Sequence, residues 1–220
     1  MLGKQTDEVR PWTRPLVTIE CQNPATLEKL GEVPSLSEAD VAERLSRARQ
    51  AQVAWGQTSF AERRRVLRML LDYIIDHQAE ICRLCSTDSG KTMADAAMGE
   101  IFPVCEKIRY LIDHGEDDLR SGKRPSGLLM HKAARVEYLP LGVVGVICPW
   151  NFPFHNILCP TVPALFAGNA VIAKTSEWTA WSAADFQAIF DEVLTKAGYS
   201  SDLVQIITGD GNTGRALVNS

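Results

Sequence analysis

Three polar side chains that could do chemistry follow two short apolar runs of the chain. Asn151 comes shortly after the run 142–147. Lys174 and Glu177 follow the run 170–173. Valine and isoleucine in such runs favour buried strands, and ligands of open parallel sheets bind beyond the carboxyl ends of the strands. We therefore expect an amide, an ammonium and a carboxylate to meet at one rim of a sheet and to form a binding site there.

Three apolar runs, separated by two segments of helical length, are expected to build this sheet. The run 142–147 contains no polar side chain and predicts a strand that is buried on both faces. The next helix should end at Gly168, because glycine suits the position just past a helix. An amphipathic helix over 179–197 then leads to a third strand at 203–207. The alternation predicts an α/β fold, here half of a doubly wound parallel sheet.

The motifs at this rim are specific enough to suggest a family. They are Pro149-Trp150-Asn151-Phe152-Pro153, Gly168-Asn169, and Lys174 followed by Ser176-Glu177. Together they resemble the aldehyde dehydrogenase superfamily, nearest to a plant and fungal branch, and the resemblance extends from about Asn23 to the end of the chain. It implies a Rossmann-like doubly wound sheet, NAD as the cofactor in preference to NADP, and a small-molecule aldehyde as the substrate.

The resemblance also implies a role for each residue of the rim. Asn151 would be the side-chain half of the oxyanion hole, while Lys174 and Glu177 would hold the hydroxyls of the adenosine ribose. Further cofactor contacts would come from Ile147, Pro149, Trp150, Ser176, Gly209 and Gly211. One N–H donor to a developing oxyanion is worth about 3 kcal/mol, and a carboxylate on the ribose favours NAD. Taken one by one, Asn151 could be an ordinary loop residue, and Lys174 and Glu177 an ordinary surface ion pair. Because all three follow strand ends, we favour a common binding site.

Two glycine-containing motifs imitate phosphate-binding loops. Gly209, Gly211 and Gly214 have the spacing of a dinucleotide fingerprint, but they follow the third strand, whereas the fingerprint follows the first. The segment 88–92 resembles the end of a P-loop, yet Cys85 stands where that motif requires glycine, and the preceding pattern is helical. We therefore predict a capped junction between two helices at 88–92, with an ATP site as the alternative.

Residues 1–121 are expected to form the helical part of the cofactor-binding domain, after an extended start at 1–16. Two capping boxes predict helix starts. They are Ser37 with Asp40 and Ser59 with Glu62. Cations are poorly placed at the start of a helix, so we interpret the three arginines at 63–65 as a solvated first turn.

Residues 122–140 interrupt the helical pattern with a turn cluster and a polar strand over 131–138. An edge strand invites pairing with another chain. The resemblance assigns this segment to a bridging sheet that joins subunits, so a homo-oligomer is expected. His131 is interpreted as a surface residue. Residues 141–220 would then form the βαβαβ half of the NAD-binding domain.

Composition limits the classes of partner. A formal net charge of −4 gives no basic surface for nucleic acid. No run approaches the roughly 18 apolar residues that a membrane span needs, so this chain should carry no membrane segment, although an anchor on a longer form stays open. Six scattered cysteines predict a reducing, cytoplasmic location rather than a disulfide framework. Cys82 and Cys85 have no second pair of ligands, so no metal site is expected.

By the resemblance, the nucleophilic cysteine and the general-base glutamate would lie in a catalytic domain beyond residue 220. Cys148 adjoins the rim, but it ends a buried strand and is predicted to be a core residue. Two functional hypotheses follow. The first is an NAD-dependent aldehyde dehydrogenase, of which this chain carries the cofactor-binding part and the oxyanion Asn151. The second is a non-catalytic, truncated cofactor-binding or assembly module that pairs with full-length subunits.

Overall fold

The computed structural model describes residues 18–220, and the extended start expected at residues 1–16 lies outside them. Its helices are α1 (Glu38–Gly56), α2 (Phe60–Asp76), α3 (Gln78–Ser89), α4 (Met93–Ala96), α5 (Phe102–Asp118), α6 (Pro153–Phe166), α7 (Ala183–Ala197) and α8 (Gly211–Val218). Its strands are β1 (Thr18–Gln22), β2 (Lys29–Pro34), β3 (Gly122–Arg124), β4 (Ala134–Val136), β5 (Val143–Ile147), β6 (Ala170–Lys174) and β7 (Val204–Ile207). A π-helical turn, Ala97–Ile101, joins α4 to α5. Short 3-10 turns are Glu177–Thr179 and Ser201–Leu203.

The central sheet is parallel, with the strand order β5-β6-β7. The helices α6 and α7 connect its strands, and α1 packs across β6 and against α8. Two antiparallel hairpins, β1 with β2 and β3 with β4, lie outside this sheet. The α/β fold with a parallel sheet, which the sequence predicts, is therefore confirmed.

Local signals in the sequence place the starts of α1 and α2 correctly, whereas the helix expected from residue 179 begins at Ala183, after the 3-10 turn Glu177–Thr179. Ser37 and Ser59 each form the complete capping box, at the starts of α1 and α2. At the predicted junction, Gly90 ends α3 in the left-handed conformation with φ 75°, and Thr92 caps α4. No strand precedes Gly90 there, because α3 runs to Ser89. The segment 88–92 is thus a capped helix junction and lacks the structure of a P-loop.

The main core is one cluster between the sheet and its helices, and β6 is buried at every residue. A second, smaller cluster consists of Ile19, Cys21 and Ala180. The prediction that β5 is buried on both faces is wrong. Gly145 and Ile147 are exposed, and Ile147 retains 54% of its accessible surface. The physical reason is position, because β5 is an edge strand that pairs only with β6 within residues 18–220.

The interpretation of the arginine run as a solvated turn is wrong for Arg63. This guanidinium is buried and donates to the main-chain carbonyls of Gly56 and Phe166, each at 3.1 Å, and to the Thr58 hydroxyl at 3.0 Å. Burial lowers the pKa of Arg63 from its ordinary value. The neighbouring Arg64 pairs with Glu116. The arginine therefore ties the end of α1 to the end of α6.

The segment 122–140 contains the β3–β4 hairpin, and β4 is shorter than the strand expected over 131–138. His131 is exposed, as expected of a surface residue. The division of the chain at residues 121 and 140 into functional parts stays a prediction.

Candidate active site

The carboxyl ends of β5, β6 and β7 meet at one edge of the sheet. Lys174 is the register partner of Ile147 on β5 and of Ile207 on β7. The contact continues past the strands, because the Cys148 N–H donates to the Lys174 carbonyl at 2.9 Å. Likewise, the Thr175 N–H donates to the Ile207 carbonyl at 3.0 Å. The residues that follow these strands consequently lie side by side.

Lys174 and Glu177 form an ion pair at the end of β6. Nζ of Lys174 lies 3.4 Å from Oε2 of Glu177; the lysine side chain is 5% exposed and the glutamate side chain 40%. Ser176 caps the 3-10 turn Glu177–Thr179, since its hydroxyl oxygen accepts from the Trp178 N–H at 3.3 Å. Within residues 18–220, Oε1 of Glu177 makes no hydrogen bond. A buried ammonium thus holds a carboxylate that still has one oxygen available to a ligand hydroxyl.

A cleft of about 510 Å³ lies beside this ion pair. Trp150, Glu177 and Trp178 line it, and its other walls come from β1, the following turn and the end of α3. Both indole rings are exposed. The volume falls in the range of small-molecule sites. Aromatic faces beside a carboxylate suit a ligand that combines a ring with hydroxyl groups.

Asn151 lies on a neighbouring, more open depression, which it shares with Lys91 and Phe152. Its Oδ1 accepts from Nδ2 of Asn156 at 3.1 Å. Its main-chain carbonyl accepts from Nζ of Lys91 at 2.8 Å. Because Trp150 and Asn151 are consecutive, the cleft and the depression adjoin along the chain, although no single cavity holds all the residues of the predicted rim.

Gly209 and Gly211 are not among the residues that line the cleft. A Cβ at Gly209 would come within 2.0 Å of the Thr213 hydroxyl, so close packing against α8 explains that glycine. Gly211 begins α8, where the Asp210 carboxylate accepts the Asn212 N–H at 2.8 Å. A carboxylate at this helix start disfavours a phosphate there. A contact of either glycine with a cofactor stays a prediction.

A comparison with protein families decides the assignment. The model of the aldehyde dehydrogenase family matches residues 12–220. The chain belongs to the aldehyde dehydrogenase family.

One relative with a similar sequence and two solved structures illustrate this membership. An aldehyde dehydrogenase-like protein of Saccharomyces cerevisiae is 44% identical over 192 residues, which cover 86% of this chain and 30% of the relative. The structure of PnpE from a Pseudomonas species in complex with nicotinamide adenine dinucleotide is 29% identical, with a TM-score of 0.82 over 92% of this chain and 40% of that one. An NADP-dependent enzyme of E. coli is 30% identical, with a TM-score of 0.80 over 90% of this chain and 40% of that one. The chain therefore spans 30 to 40% of the length of these relatives.

The burial and the pKa of each cysteine thiol decide whether it could act as a nucleophile. Cys148, the thiol beside the rim, is buried, and burial raises its pKa to about 12. Burial likewise raises the pKa of Cys21 to about 11. Of the six cysteines only Cys159 is half-buried, and burial raises the pKa of that thiol too. The prediction that Cys148 is a core residue is confirmed.

Several residues around this candidate site were not predicted from the sequence. They are Lys91, Glu100, Asn156 and Trp178. Trp178 directly follows Glu177 in a polar segment, and an aromatic residue in that context was an available signal. Lys91 lies in the segment 88–92, where the sequence offered an ATP site as the alternative and not a contact with Asn151. Glu100 and Asn156 act through partners that their types and spacing do not indicate.

Residues 18–220 contain neither a membrane-spanning helix nor a cluster of metal ligands. No helix in that range combines the length and the apolar character needed to cross a membrane. The same residues contain no group of three or more His, Cys, Asp and Glu side chains arranged to hold a metal ion.

Proposed function

We propose that this chain binds NAD at the cleft beside Glu177 and supplies the oxyanion donor Asn151 in an NAD-dependent aldehyde dehydrogenase. The observation that carries the proposal is the Lys174–Glu177 ion pair at the end of β6, with one carboxylate oxygen available at the wall of a cleft. When bound, NAD accepts a hydride from the substrate carbon. Of the solved structures reported above, one holds NAD and one is described as NADP-dependent, which supports a nicotinamide dinucleotide as the ligand.

Each residue of the rim would have its own role in binding the cofactor or the substrate. Glu177 would accept hydrogen bonds from the ribose hydroxyls, and Lys174 would keep that carboxylate in place. The negative charge of Glu177 disfavours a 2′-phosphate, which favours NAD over NADP. Trp150 and the exposed end of Ile147 would provide apolar contact, with Pro149 and Ser176 shaping the loops around them. Asn151 would donate an N–H to the oxygen of the aldehyde as negative charge develops there.

A binding experiment on the chain tests the cofactor role. We expect Glu177→Gln to weaken NAD binding by roughly tenfold or more, because a hydrogen bond to a charged group is worth about 1.5–3 kcal/mol. The loss for NADP should be smaller, since removing the carboxylate also removes a repulsion. Isothermal titration calorimetry with each dinucleotide measures both effects.

The matched control is Glu192→Gln, which removes a carboxylate that also pairs with a lysine, Lys196, on the surface of α7. This variant should bind NAD like the unchanged chain. Equal weakening by the two substitutions, or the absence of NAD binding by a folded chain, would contradict the assignment of the cleft.

A second candidate function is assembly with longer subunits through residues 122–140. The observation in its favour is the exposure of large apolar side chains in this segment. Leu128, Met130 and Leu139 are among the most exposed large apolar side chains of the described residues. Exposed apolar patches mark interaction surfaces. This role is compatible with NAD binding, because the hairpin lies outside the central sheet.

A further inference from the structure

The side-chain amide of Asn151 is held by a second asparagine. Asn156, in the first turns of α6, directs its Nδ2 to Oδ1 of Asn151 at 3.1 Å and to the carbonyl oxygen of Pro149 at 3.2 Å. These two contacts link Asn156 to the residues on both sides of Trp150. Asn156 therefore reaches back from the helix to the loop in which Asn151 lies.

The contact with Pro149 fixes which atoms face each other. A main-chain carbonyl can only accept a hydrogen bond, so the Asn156 atom beside the Pro149 oxygen must be the donor Nδ2. The same Nδ2 atom then faces Asn151, so the Asn151 atom in contact with it must be the acceptor Oδ1. Nδ2 of Asn151 is consequently the atom left over, and it makes no hydrogen bond within residues 18–220.

The main chain of Asn151 is fixed by a separate pair of charged residues. Glu100, in the π-helical turn, is fully buried, and its Oε2 accepts the N–H groups of Phe154 at 3.1 Å and of His155 at 2.8 Å. Its Oε1 pairs with Lys91, whose Nζ donates to the Asn151 carbonyl at 2.8 Å. Because Glu100 caps the start of α6 and Lys91 holds the loop before it, the backbone cannot readily shift to relieve a change at Asn156.

We propose that Asn156 is a positioning residue that sets the polarity of the Asn151 amide, so that Nδ2 rather than Oδ1 is presented to the substrate. The inference deepens the proposed function and rests on the donor role of Asn151. An amide turned by half a rotation would present oxygen lone pairs to the developing oxyanion. The contact between the Asn151 side chain and the oxyanion would then be repulsive. Such a contact should slow the reaction more than the simple loss of the N–H donor.

Asn156→Asp is the sharpest test, because it keeps the shape of the side chain and replaces the donor by acceptors. An aspartate cannot donate to Oδ1 of Asn151, so the Asn151 amide should turn and donate its own Nδ2 to the new carboxylate. In two-dimensional NMR spectra of the isotopically labelled chain, we expect an Asn151 Nδ2 proton to move downfield, as hydrogen bonding to a carboxylate requires. Asn219→Asp, at the exposed end of α8, is the control and should leave the Asn151 side-chain signals in place.

Asn156→Leu is a second variant that introduces no charge. The Asn151 amide then has no partner and should rotate between its two orientations, so its Nδ2 signals should move toward those of a solvent-exposed asparagine. Unchanged Asn151 side-chain signals in both folded variants would overturn the positioning role. Because the NMR signals of the Asn151 side chain do not depend on catalysis, they test the positioning role of Asn156 independently of the proposed function.

Turnover measurements in a longer protein that contains this chain and oxidises aldehydes complete the test. Loss of one oxyanion donor lowers kcat by about 10²–10³-fold. We expect Asn156→Asp to lower kcat at least as much as Asn151→Ala, with the affinity for NAD unchanged in both. If Asn156→Asp turns the amide by NMR and kcat is preserved, the positioning role in catalysis is wrong. If Asn151→Ala itself preserves kcat, the donor role fails instead.

Discussion

At the scale of single residues, Cys148 shows why proximity to the rim does not make a nucleophile. It directly follows β5, and its thiol donates to the Asn156 carbonyl at 3.3 Å. A nucleophilic cysteine needs a lowered pKa and access to substrate. Burial instead raises the pKa of Cys148 to about 12, although Lys174 acts against this. At neutral pH the group is therefore a protonated thiol that packs in the core.

Asp88 is a buried carboxyl at the wall of the cleft. Its Oδ2 accepts from the Ser182 N–H at 2.9 Å and from the Ser182 hydroxyl at 2.6 Å. Burial raises its pKa above the ordinary value of 3.8, and the hydrogen bonds from Ser182 offset only part of this. Asp88 joins α3 to the start of α7, and its ionisation should make that connection sensitive to pH.

We predict that Asp88→Asn reduces the dependence of stability on pH. Because the pKa of Asp88 is raised in the folded chain, its contribution to stability is fully present below about pH 3.8 and is lost as the pH rises through the folded-state pKa. The side-chain amide of the variant does not ionise, so its contribution to stability does not change as the pH rises. The free energy of unfolding of the variant, relative to the unchanged chain, should therefore increase from about pH 4 to pH 7 in urea titrations.

Asp76→Asn removes the same charge from an exposed position at the end of α2 and serves as the control. A constant difference between the Asp88→Asn variant and the unchanged chain across this range would show that Asp88 does not carry the effect. A difference in the free energy of unfolding that decreases as the pH rises over this range would show the same.

At the scale of secondary-structure elements, local signals were sufficient for the starts of α1 and α2, but not for the start of α7 or for burial. A capping box involves residues only three positions apart, so Ser37 and Ser59 predict α1 and α2 directly. The burial of β5 depends instead on which strands flank it. Its sequence is that of a central strand, yet it lies at the edge of the described sheet, and its apolar character does not reveal that position.

Arg63 illustrates the same limit for a charged residue. The first turn of α2 predicts a solvated side chain, but the Phe166 carbonyl that Arg63 binds lies 103 positions away in the chain. Such a contact exists only once α6 has packed against α2. No pattern in the residues around Arg63 contains that information.

We predict that Arg63→Met destabilises the chain by about 3 kcal/mol, since unsatisfied buried acceptors cost roughly 1–3 kcal/mol each. The substitution leaves the carbonyls of Gly56 and Phe166 without the guanidinium that they bind. Arg63→Lys should recover only part of the loss, because one ammonium cannot reproduce the planar fork. Urea unfolding of the chain measures both changes.

Arg68→Met is the matched control, because Arg68 is exposed on the same helix. Its effect should stay within about 0.5 kcal/mol, as for most surface substitutions. A comparable loss at both positions would assign the effect to the charge or helix propensity of α2 rather than to the contacts of Arg63.

At the scale of the whole molecule, the sequence predicted which strand ends share an edge of the sheet better than it predicted the contacts that hold the residues there. The carboxyl ends of neighbouring parallel strands share an edge, so the sequence alone predicts that Lys174 lies beside the end of β5. The orientation of Asn151 depends on Asn156 and on the buried pair of Lys91 with Glu100. That pair forms because a π-helical turn brings Glu100 under the start of α6, and neither helical periodicity nor a capping motif predicts such a turn.

The hairpin of β3 and β4 gives the whole molecule an apolar surface outside its core. Leu128 and Leu139, at the two ends of the segment that contains β4, retain 101% and 79% of their accessible surface. Burial of one leucine side chain contributes about 1.5–3 kcal/mol. Self-association through this segment would cover both side chains and would pair the exposed edges of two short strands.

We therefore predict that the chain self-associates and that the double substitution of Leu128→Ser with Leu139→Ser raises the dissociation constant by roughly tenfold or more. Sedimentation velocity over a range of protein concentrations measures this change. Val53→Ser removes an exposed apolar side chain from α1, away from the hairpin, and should leave the dissociation constant unchanged. If the unchanged chain sediments as a monomer at every concentration, or if Val53→Ser weakens association as strongly as the hairpin variant, residues 122–140 are not the contact surface.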